Sequence, residues 1–364
     1  MTTRRRVAIM PDSFGGTLSA AEAASAMAAG WHRSRPQDTL VLAPQSDGGP
    51  GFLEVLATAL RRPLHAATVT GPLGRPVTAQ TLLHDGTAYL EAAQACGLHL
   101  LDGPPTPDTA LTAGSEGVGE LIELALRAGA GRIVIGLGGS ACTDGGRGMC
   151  GALGGIGAAR DRLAGVELIA ASDVDNPLLG PAGAAAVFGP QKGADPPAVA
   201  ELEQRLTGWA RELQENTGVT VQDLPGAGAA GGLGAALLAC GARRVSGAAL
   251  VAELSDRRAQ IAAGDLVLTG EGRLDAQTLR GKLVAQVAAE AAEAWVPVLV
   301  LAGQVALEPA ACRRLGEVFS LAEFTGSPQS ALAGAEAALA DLAAHIAASR
   351  PPGDDADSTA PVRE

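Results

Sequence analysis

Aromatic side chains are scarce in this 364-residue chain: five Phe, three Trp and one Tyr. Nine rings are too few to make base stacking a credible mode of binding. Positive charge is also short. Lys plus Arg total 27 against 39 Asp plus Glu, a formal net charge of −12, which disfavours nucleic acid and anionic membrane surfaces as partners. The five cysteines, at 96, 142, 150, 240 and 312, are odd in number and scattered, with no CxxC and no histidine at ligand spacing. Neither a disulfide framework nor a zinc site follows. Long hydrophobic runs are missing too. The string Val296 to Ala302 falls far short of a bilayer span, and only four apolar residues stand between Arg6 and Pro11, too few for a signal-peptide core. The expectation is a soluble, cytoplasmic protein with no membrane and no nucleic-acid partner.

What is present is apolar and rich in glycine. Apolar residues make up 47%, enough for buried cores, and 364 residues suggest about two domains. Val7 to Met10 is a short buried-strand run ended by Pro11-Asp12-Ser13-Phe14-Gly15-Gly16. Ser19 with Glu22 spells a capping box and opens an Ala-rich helix toward His32. A strand over 39–43 and a helix over 52–61 continue a βαβα pattern, the mark of a sheet covered by helices. The same grammar returns late, with strands over 265–269, 296–302 and 318–320 and helices over 277–293 and 329–348. The middle reads as a hairpin around His84-Asp85-Gly86, strands over 132–135 and 166–171, and helices over 115–128, 198–215 and 232–240. The layout is an α/β domain built from both chain ends, 1–70 plus 262–350, with a second α/β domain inserted over 71–261. A tail, 351–364, reads as disordered.

Five loops share one design, in which a strand ends and an acidic or hydroxyl residue stands among glycines. They begin at Asp12-Ser13, Asp47-Gly48-Gly49, Gly138-Gly139-Ser140, Ser172-Asp173-Val174-Asp175-Asn176 and Gly270-Glu271-Gly272-Arg273-Leu274-Asp275. Ligands of open α/β sheets bind beyond the carboxyl ends of strands, where these loops lie. Glycine amides approach phosphate closely, and the carboxylates can hold Mg²⁺ or accept a proton. One such loop is ordinary turn and cap chemistry; five together point to a ligand. There is no GxxxxGK[ST] and no GxSxG, and all five histidines lie outside these loops. Gly226 to Gly231 spells GxGxxG without a preceding strand, so a dinucleotide cradle there is weakly signalled. Asp, Glu, glycine amides and the cations Lys192 and Arg273 remain, which is the equipment of phosphoryl transfer.

These segments, with Gly71-Pro72-Leu73-Gly74, Asp144-Gly145-Gly146, Asn176-Pro177-Leu178, Phe188-Gly189-Pro190-Gln191-Lys192-Gly193 and Gln277-Thr278, resemble the signatures of type I glycerate kinases in order and spacing from about Val7 to Ala348. The resemblance implies a Rossmann-like parallel-sheet domain carrying an inserted α/β domain, and an ATP-dependent kinase that phosphorylates glycerate with Mg²⁺. Its partners would be glycerate and ATP, with a homodimer left open. The implied mechanism has Asp144 or Asp175 taking the hydroxyl proton, while Asp173, Asp175 or Asp275 holds Mg²⁺. Lys192 neutralises phosphate and Arg273 anchors the carboxylate. Gly48, Gly49, Gly138 and Gly139 cradle phosphates, and Asp12, Ser13, Asp47, Ser140, Asn176, Glu271 and Thr278 complete the binding set. The family usually has Lys where this chain has Gly15, and Glu where it has Pro50. The competing readings are a catalytically silent organic-acid-binding paralogue and a dinucleotide-dependent dehydrogenase using Gly226 to Gly231.

Overall fold

A computed structural model describes residues 4–276, 278–280 and 283–350. Gln277 and the tail 351–364, for which disorder is expected, lie outside the described residues. The strands in chain order are β1 (Arg6–Ile9), β2 (Thr39–Leu42), β3 (His65–Thr70), β4 (Pro76–His84), β5 (Thr87–Glu91), β6 (Arg132–Gly136) and β7 (Glu167–Ala171). They continue with β8 (Arg243–Val245), β9 (Leu266–Thr269), β10 (Arg273–Leu274), β11 (Val298–Ala302), β12 (Gln304–Val305) and β13 (Glu317–Ser320). The chain divides into two compact units, Met1–Ser46 with Val251–Glu364, and Asp47–Leu250.

In the first unit the sheet order is β13-β11-β9-β1-β2, and every pairing is parallel. The central strands β9 and β11 are buried at every residue, as strands covered on both faces must be. Helices Ala20–Ser34 and Ala335–Ser349 close one face around Val7, Ile9 and Trp31; helix Leu283–Glu293 closes the other around Ala8, Val267 and Val300. The capping box at Ser19 forms as its spacing requires, with both reciprocal hydrogen bonds present. The expected last helix is broken into Pro328–Ala333 and Ala335–Ser349 at Gly334, which has non-helical dihedrals. The chain passes from β1 to β2 on one side and later from β9 to β11 on the other. The sheet therefore changes direction between β1 and β9, the crevice where such sheets bind ligands.

In the second unit the order is β3-β4-β5-β6-β7-β8, antiparallel through the β4–β5 hairpin and parallel from β5 to β8. Asp85 and Gly86 both have positive φ, 45° and 72°, the requirement of a two-residue primed turn. The sequence boundaries at 70 and 262 move to 46 and 251. Helix Phe52–Leu60 belongs to the second unit because the carboxylate of Glu91, the last residue of β5, holds its first turn. Strand β3 pairs with β4 there as well. β3 has an exposed, weakly apolar face, so no alternation announces it in the sequence.

Candidate functional site

The carboxyl ends of β6 and β7 carry two of the acidic and glycine loops of the second unit. After β6, the backbone N–H groups of Gly138, Gly139 and Ser140 make no hydrogen bond to any described residue. Gly139 has φ +66°. Consecutive unspent amides with one left-handed residue form a concavity suited to an anion. Beneath them lies Lys192, one of two lysines in a chain that otherwise draws its cations from arginine. Lys192 is 3% exposed. Its Nζ donates to Ser140 Oγ at 3.0 Å and to the Cys142 carbonyl at 2.6 Å. Both acceptors are neutral, and burial pulls its pKa below the ordinary lysine value. Asp144 acts on it only at a distance, and a buried ammonium without a directly paired carboxylate is costly unless an anion accompanies it. Ser140 Oγ, accepting from Nζ, keeps its own hydrogen for a ligand. The Cys142 thiol is pushed well above its ordinary value by the Cys96 thiol and by burial, so this loop offers no thiolate nucleophile.

The carboxylates around this loop have distinct tasks. Asp144 Oδ2 accepts from Ser115 N–H, Ser115 Oγ and Gly148 N–H, and its Oδ1 accepts from Gly146 N–H. It ties together the starts of helices Glu116–Arg127 and Arg147–Ala152, which occupies it as a structural cap. Asp173 Oδ2 accepts from Ala248 N–H at 3.1 Å. Asp175 is exposed and pairs with Arg244 at 2.7 Å, while Arg244 also donates to the Ser172 carbonyl. Asn176 Nδ2 donates to the Ala182 carbonyl and so bends its own loop. Asp47 Oδ1 accepts from Gly49 N–H at 2.9 Å, so the Gly49 amide expected to cradle phosphate is already spent. Gly48, with φ +94°, would bring a Cβ to 2.8 Å from the Ala171 carbonyl oxygen. Only glycine allows the loop to lie this close to β7.

In the first unit the loops after β1 and β9 meet. Asp12 N–H donates to the Gly270 carbonyl at 2.8 Å, and Asp12 Oδ1 accepts from Ser13 N–H. Glu271 is 7% exposed and accepts from Thr278 Oγ1 at 2.6 Å; Thr278 is fully buried. Arg273 is exposed, and Asp275 lies 3.9 Å from it, at the outer limit of an ion pair.

The segment Gly226 to Gly231 is a packing piece. A Cβ on Gly231 would fall 2.0 Å from the Cys142 carbonyl oxygen, and one on Gly228 would fall 2.3 Å from that of Pro177. The Gly228 amide is spent on the Asn176 carbonyl, so the central glycine of the motif is tied into its own loop.

Comparison with known proteins agrees with this loop inventory. The model of the glycerate kinase family matches residues 7–158 and 156–350. An uncharacterized protein of Mycobacterium tuberculosis (strain CDC 1551) is 57% identical over 347 residues, covering 94% of this chain and 91% of its own. The glycerate kinase of Bacillus subtilis is 42% identical over 327 residues, covering 82% and 85%. A crystal structure described as glycerate kinase 2 from Salmonella typhimurium LT2 superposes with a TM-score of 0.74 at 36% identity, covering 95% and 98%. The chain belongs to the glycerate kinase family.

Membership makes this chain a phosphotransferase, and nothing favours the silent-paralogue or dehydrogenase readings. Two residues escaped the sequence reading. Ser115, fully buried, supplies two of the donors to Asp144; its place just before a helix was the available signal. Glu91, 1% exposed, caps a helix 40 residues upstream, which no local pattern announces. Among the described residues no helix is long and apolar enough to cross a membrane.

Proposed function

We propose that the protein transfers the γ-phosphoryl group of Mg-ATP to a hydroxyl of glycerate. The observation that carries the reading is the buried Lys192, which makes no direct ion pair, beneath the unspent amides of Gly138, Gly139 and Ser140. Phosphoryl transfer is catalysed mainly by positioning and neutralisation of charge, and this arrangement supplies both. Phosphate oxygens meet the three amides and the Ser140 hydroxyl, with the Lys192 charge one hydrogen bond behind. Lys192 thus acts as electrostatic support for the loop rather than as a surface clamp.

Asp175, whose side chain is 76% exposed, is the base for the acceptor hydroxyl. Asp144 is less suited because four donors already occupy its oxygens. Within the first unit, Arg273 is the cation available to an anionic group, with Asp275 3.9 Å from it, and Asp12, Ser13, Glu271 and Thr278 shape the loops after β1 and β9.

Among the described residues no three His, Cys, Asp or Glu side chains gather as a metal site. Mg²⁺ arriving with the nucleotide would need only one or two protein carboxylates, since phosphate oxygens and water complete its coordination. Asp173 is the residue to hold it. When bound, the ion neutralises phosphate charge.

The test is a coupled assay of ADP release across small hydroxy acids. D-glycerate should be the preferred acceptor. Acceptor-independent ATP consumption, or reduction of a nicotinamide cofactor by glycerate, would overturn the proposal.

A further inference from the structure

We propose that Glu91 is a positioning residue: it fixes the first turn of helix Phe52–Leu60 and thereby the loop Asp47–Gly51 that walls the amides of Gly138 to Ser140. The effect on turnover rests on the phosphate-cradle reading above; the effect on the loop rests on geometry alone.

Helix Phe52–Leu60 begins at Gly51, which has φ +90° and no side chain with which to cap it. Its first amides need acceptors from elsewhere. The Gly49 carbonyl takes the Phe52 N–H, and Glu91 takes the amides on either side of it. Oε1 accepts from Gly51 N–H and Oε2 from Leu53 N–H, each at 3.1 Å. The carboxylate is 1% exposed, and no cation contributes to its surroundings; the charged neighbour is Glu54. A buried carboxylate with two backbone donors and no counter-ion is expensive to keep. Its placement explains the expense.

Glu91 ends β5 opposite Gly136 of β6, and the loop it anchors has no slack. A Cβ on Gly136 would lie 2.8 Å from the Gly48 carbonyl oxygen, one on Gly138 2.3 Å from Gly49 Cα, and one on Gly139 2.4 Å from Pro50 Cγ. Any shift of Asp47–Gly51 is therefore passed directly to Gly138 and Gly139, and through the chain to Ser140. Glu91 touches no reacting group; it acts through the loop.

Glu91→Gln tests this in the full-length protein. The amide keeps one acceptor and turns a donor toward the second backbone N–H. Hydrogen exchange at Gly51 and Leu53 should accelerate by at least about tenfold. Misplacing a catalytic loop by about 1 Å costs on the order of 10² in rate, so kcat should fall between about tenfold and a hundredfold, with KM for glycerate nearly unchanged. Glu91→Asp keeps the charge but withdraws it by one methylene, and should show the same two changes if the Gln variant fails to fold. Unchanged exchange overturns the cap. Faster exchange with normal kcat, measured well below the melting temperature, overturns the coupling to catalysis. A wild-type protein without kinase activity would instead defeat the functional reading and leave the exchange result standing.

Discussion

At the residue scale, two buried ionisable groups carry the argument, and both make measurable predictions. Lys192→Met keeps the aliphatic stem and removes the charge. It relieves the cost of burying an ammonium but strands the Ser140 hydroxyl and the Cys142 carbonyl, so stability should change by no more than about 2 kcal/mol. The rate should fall much further, by about 10²–10³ in kcat, as for other lost electrostatic contacts. A well-folded Lys192→Met enzyme with near-normal kcat would remove Lys192 from the mechanism. Glu91 predicts a pH effect on stability. Burial, with a smaller push from Glu54, raises its pKa from 4.5 to about 7. The folded state therefore holds this proton more tightly than the unfolded state does between those values. Its stabilising contribution is present below pH 4.5 and is lost as pH rises to about 7, a change of roughly 3 kcal/mol. Chemical denaturation across that window should show the decline in wild type relative to Glu91→Gln, and parallel curves would contradict it. Neither burial was legible in the sequence. Glycines beside Lys192 pointed to a phosphate contact but carried no sign of burial, because its partners lie 50 and 52 residues away.

Among elements, glycines decide how closely loops and helices approach. Helices Ala20–Ser34 and Ala335–Ser349 cross at Gly30, where a Cβ would lie 1.9 Å from the Ala340 carbonyl oxygen. Backbone cannot retreat as a flexible side chain can, so Gly30→Ala should destabilise the protein by about 1–3 kcal/mol. Thermal melting would reveal it, and an unchanged melting temperature would mean the helices slide apart freely. Gly139→Ala meets both a positive φ and the Pro50 ring. It should reduce kcat more than it reduces stability, because it deforms the loop whose amides await phosphate. Sequence patterns located these elements well where side chains alternate or caps recur, as with the Ser19–Glu22 box and the Asp85–Gly86 turn. They missed β3, whose exposed edge has no apolar alternation, and β8, which is three residues long.

For the whole molecule, the proposed use of Mg-ATP leads to a metal prediction. EDTA should abolish turnover while leaving the melting temperature of the nucleotide-free protein unchanged, because the ion arrives with ATP. A drop in melting temperature on chelation would indicate a resident ion. The sequence by itself determined the α/β class, the insertion of one unit into another, the five acidic glycine loops and the resemblance to glycerate kinases. All of these follow from local spacing: strand runs, caps within three residues, and glycines beside carboxylates. Tertiary structure alone decided which groups meet. It moved the unit boundaries to 46 and 251, spent Asp144 on Ser115 from 29 residues away, and placed Glu91 on a helix 40 residues upstream. These contacts depend on which strands lie side by side, so no periodicity along the chain encodes them.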